Sequence, residues 1–415
     1  MNRTLILIIV LVLMLLIEWY SFQAIKVSLA HVGAFWKKVL LYSYIGFAFL
    51  VILAFLIYNF ANPDWFGKHF RTFLLSFVFI NFLSKFFIVI FLFIDDIQRG
   101  IRWVYHRLSG SNNSTAQEGI SRSEFLAKAG IITAAVPLIS LSWGIVSGAH
   151  DYRIRRVKLP VKNLPGSLEG MRIGQLSDIH SGSFWNRTAV KGGVEMLLSE
   201  KPDLVLFTGD LVNNKAIEMQ DWGAVFAKIE APLGVYSVLG NHDYGDYTNW
   251  ETAALKQKNM KDLQTIQKNM GWKLLMNEHD LIKIDGEQIG IIGVENWSEK
   301  GRFPKYGNLN KAMEGLHDTA FNVLLSHDPS HWQGEVIQNY AQIDLTLSGH
   351  THGMQFGVEI PGFKWSPVQY MYKEWAGLYQ AGDQYLYVNR GFGYIGYPGR
   401  VGIAPEITII TLEKA

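Results

Sequence analysis

The sequence predicts an α/β protein in two parts, a set of N-terminal transmembrane helices followed by a domain with a large β-sheet core. Leu, Ile, Phe and Val dominate residues 1–150. From Met171 onward, short apolar runs alternate with helical segments, and each run ends in a polar or glycine-bearing loop. We therefore expect a membrane region over residues 1–150 and a catalytic domain over residues 151–415.

Composition excludes several classes of partner and site. The formal net charge is +2, and no basic stripe interleaved with aromatic residues occurs in the C-terminal part, so nucleic acid is not a predicted partner. The chain contains 0 Cys residues, which excludes disulfides, thiolate metal sites and cysteine nucleophiles. Any metal ion must therefore be held by oxygen and imidazole ligands.

Four apolar runs are long enough to cross a bilayer, which requires about 20 mostly apolar residues per helix. They cover residues 5–17 with an extension through Trp19 and Tyr20, then 39–60, 72–94 and 127–148, the last of which contains Pro137. A cleaved signal peptide has a single, shorter apolar region and cannot account for them. We expect a multi-pass membrane protein with the lipid bilayer as a partner.

Lys85 lies well inside the third run. An ionisable residue within a membrane span is a functional-site hypothesis by default. The more ordinary interpretation is that Lys85 packs inside the helix bundle or extends its ammonium group to the interface. We expect no second buried charge in the other runs to pair with it, so the sequence does not predict a transporter.

The orientation of the spans is almost balanced by the charge rule, with eight flanking Lys and Arg residues on one side and seven on the other. The segment 121–128 resembles a twin-arginine export signal in which Ser123 replaces the second arginine, and residues 147–149 resemble a cleavage site. Because such a signal stays cytoplasmic, we expect the C-terminal domain on the outer face. Residues 109–117, rich in Ser, Asn and Gly, predict a flexible loop.

The second part predicts alternating strands and helices. Buried strands are expected over residues 171–177, 204–208, 235–239, 289–294, 323–326, 345–348, 385–389 and 406–412, and helices over 187–200 and 253–269. Metal-binding side chains follow five of these strands. They are Asp178 with His180, then Asp210, then Asn241 with His242 and Asp243, then His327, and finally His350 with His352.

No single pair of this kind identifies a metal site, because a lone His beside a strand is usually structural. Five such groups, in order within one domain, predict that together they form a metal site. Alternate residues of an extended strand point the same way, so residues two apart can contact one ion. Gly209, Gly240 and Gly349 stand immediately before these groups, where the backbone must turn tightly or approach an ion closely.

These five groups resemble the motif series of the calcineurin-like metallophosphoesterases, in the same order: Asp-X-His, Gly-Asp, Gly-Asn-His-Asp, His and Gly-His-X-His. The resemblance extends from about Lys158 to the C-terminus and is greatest to a small bacterial branch of exported or membrane-associated phosphodiesterases. That branch often has Gly-Gly-Gln where this chain has Gly353-Met354-Gln355, a change at the pocket rim.

The resemblance implies a four-layer αββα sandwich and two adjacent divalent metal ions. It assigns Asp178, His180, Asp210 and His352 to the first ion, with Asp210 bridging, and Asn241, His327 and His350 to the second. His242 matches the catalytic histidine of the family, which is not a ligand and lies near the substrate phosphate. Asp243 could orient His242, although adjacent residues of a turn often face apart.

Two ions roughly 3.5–4 Å apart can hold both the attacking and the leaving oxygens of an in-line displacement, and they supply hydroxide from bound water near neutral pH. Mixed oxygen and imidazole ligands suit Mn, Fe, Co or Zn better than Mg alone, and manganese is the ion to add first in an assay. His242 would then protonate the leaving oxygen or stabilise charge on the phosphoryl group.

Two further features suggest substrate contacts. Arg390 and Arg400 lie in a glycine-rich stretch, 389–402, where a guanidinium at the pocket mouth could bind phosphate; ordinary surface ion pairs are the alternative. The segment 361–378 is aromatic and contains few charges. It predicts either a hydrophobic lip for a lipid tail or the membrane, or a hairpin that packs on the sheet.

Together these observations predict a membrane-anchored, dinuclear metal-dependent hydrolase that cleaves a phosphodiester or pyrophosphate, with a lipid-linked or cell-envelope substrate as one option. A phosphomonoesterase is the alternative within the same enzyme class. A membrane sensor whose domain only binds a phosphate ligand is an alternative of another class, and turnover would distinguish it.

Overall fold

The computed structural model describes residues 2–62, 65–109, 122–301, 303 and 305–415. Its contacts divide the chain into two compact units, Met1–Trp143 and Gly144–Ala415. Most of the loop predicted over residues 109–117 and the start of the export-like segment, Ser121, lie outside the described residues.

The first unit consists of four long helices, each of which is apolar enough to cross a membrane. They are α1 (Arg3–Ser28), α2 (Ala34–Phe60), α3 (Lys68–Ser109) and α4 (Arg122–Val146). Large apolar side chains such as Leu16 and Phe49 are exposed on their outer surfaces, as expected of helices that contact lipid. The four apolar helices that the sequence predicts are present, although α3, at 42 residues, is longer than one crossing requires.

Lys85 does have a charged partner, so the expectation that it would have none was wrong. Its ammonium nitrogen lies 2.5 Å from Oε2 of Glu18 in α1, and both residues are buried, with 6% and 7% of their surface exposed. Asn81 and Tyr44 donate further hydrogen bonds to the Glu18 carboxylate, at 3.1 and 3.0 Å. Glu18 lies immediately after the first apolar run, and helix α1 continues past it. An unpaired charge is costly in an apolar bundle, and this network compensates both charges.

Two six-stranded sheets form the centre of the second unit. The first has the strand order β1-β14-β2-β3-β4-β5 and the second β12-β13-β9-β8-β7-β6. The strands of the first sheet are β1 (Arg153–Val161), β14 (Glu406–Lys414), β2 (Arg172–Leu176), β3 (Leu204–Phe207), β4 (Val235–Ser237) and β5 (Trp272–Leu274). Those of the second are β12 (Gly377–Ala381), β13 (Gln384–Val388), β9 (Leu345–Ser348), β8 (Phe321–Leu325), β7 (Glu287–Gly293) and β6 (Glu278–Ile284). A separate hairpin pairs β10 (Val358–Ile360) with β11 (Phe363–Trp365).

The two sheets pack face to face and carry helices on their outer faces. Buried side chains from both sheets, such as Leu206 and Val323, form the core between them. Three helices pack on the outer face of the first sheet through buried side chains such as Val194 and Leu263. They are α5 (Arg187–Ser199), α6 (Gly223–Phe226) and α7 (Ala253–Asn269). Leu309 of α8 (Leu309–Met313) and the segment preceding α9 (Ile337–Asn339) cover the second sheet. This four-layer αββα arrangement confirms the predicted fold class.

The parallel register brings the predicted ligand groups to one edge of the sandwich. Strands β2, β3 and β4 pair in parallel, with Leu176 opposite Phe207 and Phe207 opposite Ser237, so the residues that follow them emerge together. Strands β8 and β9 are likewise parallel, with Leu325 opposite Leu347. Loops after the carboxyl ends of parallel strands are a common place for ligand sites in α/β folds.

Candidate metal centre

Two groups of side chains in the described residues offer ligand atoms that converge closely enough to hold an ion. Asp178, His180 and His352 form one group, and Asp210, His327 and His350 form the other. In each group the ligand atoms all lie within 4.8 Å of one another. Six of the seven predicted ligand residues therefore lie in two compact clusters.

Asp210 lies between the two clusters. Its Oδ2 atom is 3.1 Å from Nε2 of His327 and 3.5 Å from Nε2 of His180, which belongs to the other cluster. Its Oδ1 atom accepts a hydrogen bond from the backbone N–H of His242 at 2.8 Å. A carboxylate held this way has one oxygen fixed by the backbone and the other directed at both clusters.

The donor set fits divalent cations. The Nε2 atoms of His180 and His352 face each other at 3.0 Å, and Nε2 of His352 is 3.1 Å from Oδ1 of Asp178. In the part of the chain that the structure describes, the Asn241 side-chain oxygen is buried without a hydrogen-bond partner, while its amide nitrogen donates to the Tyr247 hydroxyl at 2.9 Å. Facing imidazole nitrogens, carboxylates and an unpaired amide oxygen together form a site of the type that Mn, Fe, Co or Zn prefers.

Burial and charge set the protonation states of the cluster. Burial lowers the pKa of the His180 imidazole well below its usual value, so the ring is neutral at pH 7. Burial would also lower the pKa of His327, but the carboxylate of Asp210 outweighs it and raises that pKa to about 10. An ion that binds at Nε2 of His327 must therefore displace a proton, as is general for imidazole ligands.

The outer nitrogens of two ligand rings are held by the surrounding protein. Nδ1 of His327 donates to the Thr208 carbonyl oxygen at 2.7 Å, so Nε2 is the ring nitrogen that faces the site. Nε2 of His350 lies 2.9 Å from the Tyr372 hydroxyl, which in turn donates to Oδ2 of Asp328 at 3.1 Å. Nδ1 of His350 thus faces the site, 3.3 Å from His327. Such contacts orient a ligand ring and increase its basicity.

The backbone at the site is strained. Asp178, His180, Asp210, His350 and His352 all have positive φ, at 52°, 47°, 60°, 67° and 51°. For residues other than glycine this left-handed conformation costs roughly 1–2 kcal/mol per residue. Strained non-glycine residues concentrate at functional sites, and five of the seven predicted ligands share this feature here.

Two of the predicted glycines permit the close packing around the carboxylates. A Cβ atom at Gly240 would lie 2.2 Å from Oδ1 of Asp210, and one at Gly349 would lie 2.1 Å from Oδ2 of Asp178. Any larger residue would displace those carboxylates. These glycines are therefore required by close approach, as their positions before the ligand groups predict.

His242 lies beside the two clusters. Its Nδ1 donates to the Asn213 carbonyl oxygen at 2.8 Å, and its ring centroid is 5.0 Å from that of His180. Because Nδ1 is bound to the backbone, Nε2 is the ring nitrogen available to a substrate.

The suggestion that Asp243 orients His242 was wrong. The Asp243 carboxylate instead accepts backbone N–H groups from Asp210, Leu211 and Gly240, each at 2.9 Å. It is fully buried and ties the loop after β3 to the loop after β4. Its contribution is to hold the backbone of Asp210 in place.

A cleft of about 220 Å³ opens onto this site. The ligand residues Asp210, Asn241 and His350 line its floor together with His242. Apolar residues line the remainder, among them Phe303, Met354, Val368, Met371, Tyr372 and Ile395. Met354, the residue that departs from the bacterial branch, is thus part of the rim.

Arg390 and Arg400 do not lie at the pocket mouth, nor on the surface. Arg390 is buried and bound by the carboxylates of Glu406 and Glu359, at 2.5 and 2.7 Å. Arg400 is fully buried and donates to the carbonyl oxygens of Arg390 and Gly393, at 2.8 and 3.0 Å. The terminal guanidinium nitrogens of both residues contact protein groups, because the chain between β13 and β14 folds inward.

The aromatic segment 361–378 combines both interpretations offered by the sequence. Tyr372 and Trp375 are buried in a small cluster with Val368, so part of the segment packs on the domain. Phe363, Tyr370 and Met371 are exposed. The sequence predicted the exposed apolar part of this segment. It did not predict that Tyr372 contacts the ligand ring of His350, because Tyr372 belongs to no motif. The available signal was Asp328, which directly follows His327 and accepts a hydrogen bond from Tyr372.

Comparisons with known proteins agree with this geometry. Residues 2–149 match the family described as a probable calcineurin-like phosphoesterase transmembrane domain, and residues 171–354 match the calcineurin-like phosphoesterase family. A zebrafish (Danio rerio) transmembrane protein with metallophosphoesterase domain is 29% identical, over 74% of this chain and 67% of that protein.

Two bacterial relatives are also similar. The metallophosphoesterase YkuE of Bacillus subtilis is 29% identical over 71% of this chain and 98% of its own length. The UDP-2,3-diacylglucosamine pyrophosphatase LpxG of Chlamydia trachomatis is 26% identical over 62% of this chain and 89% of its own length. The chain is therefore a membrane-anchored hydrolase of the calcineurin-like metallophosphoesterase family, a family that uses divalent metal ions.

Proposed function

We propose that the chain is a dinuclear phosphohydrolase, with Asp178, His180, Asp210 and His352 around one ion and Asp210, Asn241, His327 and His350 around the other. The observation that carries this proposal is the position of Asp210, whose Oδ2 atom approaches a histidine from each cluster. A shared carboxylate keeps two cations close and offsets part of their mutual repulsion. The unpaired side-chain oxygen of Asn241 supplies the remaining ligand.

Two bound divalent ions supply Lewis-acid polarisation of the phosphoryl group and a water of lowered pKa. The chain's own contribution is positional. His242 presents Nε2 to the cleft, where it donates a hydrogen bond or a proton to the leaving oxygen. The Asn213 carbonyl oxygen fixes the ring, and the apolar residues that line the cleft limit water around the reacting groups.

We propose a phosphodiester or pyrophosphate as the scissile group. Three facts support this: the chain is anchored in a membrane, its cleft is polar at the floor and apolar at the rim, and one relative is named as a pyrophosphatase of a diacylated sugar nucleotide. A lipid or cell-envelope ester would place its phosphate among the ligand residues and its apolar part along the apolar wall of the cleft. A soluble monoester has no apolar part to place there.

The test is hydrolysis by the full chain in detergent, stripped with a chelator and then supplied with Mn, Fe, Co or Zn. The substrates are a chromogenic phosphodiester, its monoester and a pyrophosphate. We expect metal-restored cleavage of the diester or pyrophosphate in excess of the monoester. Preferential monoester cleavage would establish the phosphomonoesterase instead, and binding of all three without product would support a sensor.

Asp210→Asn is the matched variant for this assay. The amide retains an acceptor for the His242 N–H but directs an NH2 group, in place of an oxygen, at both ions. We expect the variant to lose turnover and to bind less of both ions, measured as metal content after dialysis. Retention of two ions and near-normal activity would overturn the ligand assignment.

We also propose that the catalytic domain lies on the outer face of the membrane. The sequence between 121 and 128, which resembles an export signal, supports this orientation. The chain contains no cysteine, so a single introduced Lys228→Cys reports its own location. A membrane-impermeant maleimide should label it in intact cells; labelling only after lysis would place the domain inside.

A further inference from the structure

The chain just after the metal site has an inverted apolar pattern. Met354, Phe356, Val358 and Ile360 are exposed, whereas the polar residue between the first two, Gln355, is buried. Large apolar side chains are normally buried and polar ones exposed, so a patch of exposed apolar side chains beside a buried polar one is informative. Here the apolar set faces outward, so this surface is built for contact with something apolar.

The β10–β11 hairpin enlarges the same surface. Val358 pairs with Trp365 and Ile360 with Phe363, and paired residues of an antiparallel ladder share one face. Ile360 and Phe363 are 58% and 54% exposed. The hairpin is separate from both large sheets, so no sheet in the described residues buries that face.

This surface is continuous with the cleft. Met354 and Met371 are exposed on it and also line the cleft above the ligand residues. Tyr370, at 77% exposed, lies beside Met371 in the chain and within 3.5 Å of the Trp365 indole nitrogen through its hydroxyl. We call residues 354–371 with exposed apolar side chains the apolar rim: Met354, Phe356, Val358, Ile360, Phe363, Tyr370 and Met371.

The length of the tether indicates what covers the rim. Helix α4 ends at Val146 and strand β1 begins at Arg153. Even fully extended, this connection spans only about 25 Å at ~3.5 Å per residue, so the catalytic domain remains near the bilayer surface. The rim combines Phe, Tyr and Met with the neighbouring Trp365, and Trp and Tyr are enriched at membrane–water interfaces.

We propose that the apolar rim inserts into the interfacial layer of the bilayer and brings the cleft to the level of the lipid headgroups. The rim residues contact acyl chains, and the metal site faces the phosphate layer. This deepens the proposed function, on which it rests: the substrate class is a membrane lipid whose phosphate ester or pyrophosphate linkage is cleaved without leaving the bilayer. The inserted rim then holds the domain at the bilayer surface, while the cleft holds the lipid's phosphate.

Depth measurement tests the insertion directly. The natural absence of cysteine allows Phe363→Cys to be labelled with an environment-sensitive fluorophore in the full chain, reconstituted in phosphatidylcholine–phosphatidylglycerol nanodiscs. Lys228→Cys, an exposed site outside the rim, is the matched control. We expect lipids with a nitroxide near the headgroup to quench the label at 363 and leave that at 228 unquenched, with the reverse order for aqueous iodide.

Two outcomes would overturn the proposal. Equal quenching of both labels by iodide would mean that the rim faces water. Protection of position 363 from both lipid nitroxide and iodide would mean that a protein surface, such as a second copy of the chain, covers it.

A pair of substrates tests the consequence for catalysis. The double variant Ile360→Ser, Phe363→Ser removes two exposed apolar side chains that do not line the cleft. With a nitrophenyl diester of diacylglycerol embedded in the nanodisc we expect a loss of about tenfold or more, because two side chains no longer enter the bilayer. A soluble nitrophenyl diester should be cleaved as by the parent.

Equal rates of the variant and the parent on the embedded diester would refute the substrate class. If the parent cleaves neither diester and also fails to cleave the pyrophosphate, the proposed function fails, whereas the quenching result still decides whether the rim is inserted. The two proposals can therefore fail separately.

Discussion

Replacing His242 with Ala should reduce turnover while leaving the metal content unchanged. The structure separates the two effects, because His242 hydrogen-bonds to a ligand residue through its backbone N–H, which donates to Oδ1 of Asp210. Ala retains that N–H. The ring is held by the Asn213 carbonyl oxygen and belongs to neither ligand cluster.

The expected magnitude follows from the role of the ring. A positioned acid–base group typically contributes about 10²–10⁴ in rate, equivalent to roughly 3–5 kcal/mol of transition-state stabilisation. The loss should depend on the leaving group. A nitrophenolate departs readily without a proton, so its diester should lose little, whereas an alkyl diester should lose the full amount.

The assay compares kcat of parent and His242→Ala on a nitrophenyl and an alkyl diester, with metal content measured on the same samples. An equal loss on both substrates would mean that His242 stabilises charge on the phosphoryl group and does not protonate the leaving oxygen. Loss of metal with the severity expected of Asp210→Asn would refute the reasoning, because His242 would then have to be a ligand.

Three further predictions concern the surroundings of the site and the fold. Tyr372→Phe removes the hydroxyl next to a ligand ring and should weaken binding of one ion by about 10–100-fold in calorimetric titration; unchanged affinity would contradict this. Glu18→Gln leaves the charge of Lys85 without a counter-charge and should destabilise the full chain in detergent by about 3–5 kcal/mol. Glu18→Leu combined with Lys85→Met should recover most of that loss. Equal melting temperatures of the parent and Glu18→Gln would contradict this. Burial raises the pKa of the Asp344 carboxyl to about 6, so the folded state holds a proton that the unfolded chain releases near pH 4. The free energy of unfolding should therefore fall as the pH rises from about 4 to 6. At pH 7 the Asp344→Asn variant should be up to ~2 kcal/mol more stable than the parent, and at pH 4 it should not be; denaturant unfolding measures both.

Local pattern was sufficient to predict most of the fold. The helix predicted over residues 253–269 and the strand over 345–348 have those bounds in the structure, because apolar periodicity and end signals are local properties. Strand β1 was missed, since its residues Arg153, Arg155 and Arg156 break the apolar pattern. It forms because it lies at a sheet edge and pairs in parallel with β14, a partner more than 200 residues away in sequence.

The sequence by itself determined which residues meet at the candidate site. Parallel strands of one sheet have their carboxyl ends at one edge, so the ligand types after β2, β3 and β4 gather at the edge of the first sheet and those after β8 and β9 at the edge of the second. It also determined the membrane attachment, because a span of about 20 apolar residues has few other stable environments.

Only the tertiary structure decided which side chains face which partner. It buried Arg390 and Arg400 against carboxylates and carbonyl oxygens, turned Asp243 toward four backbone N–H groups, and paired Lys85 with Glu18. The physical reason is that a buried polar group must find its partner wherever the fold brings one within hydrogen-bond distance. Such partners are distant in sequence and follow no spacing, so no local pattern encodes them.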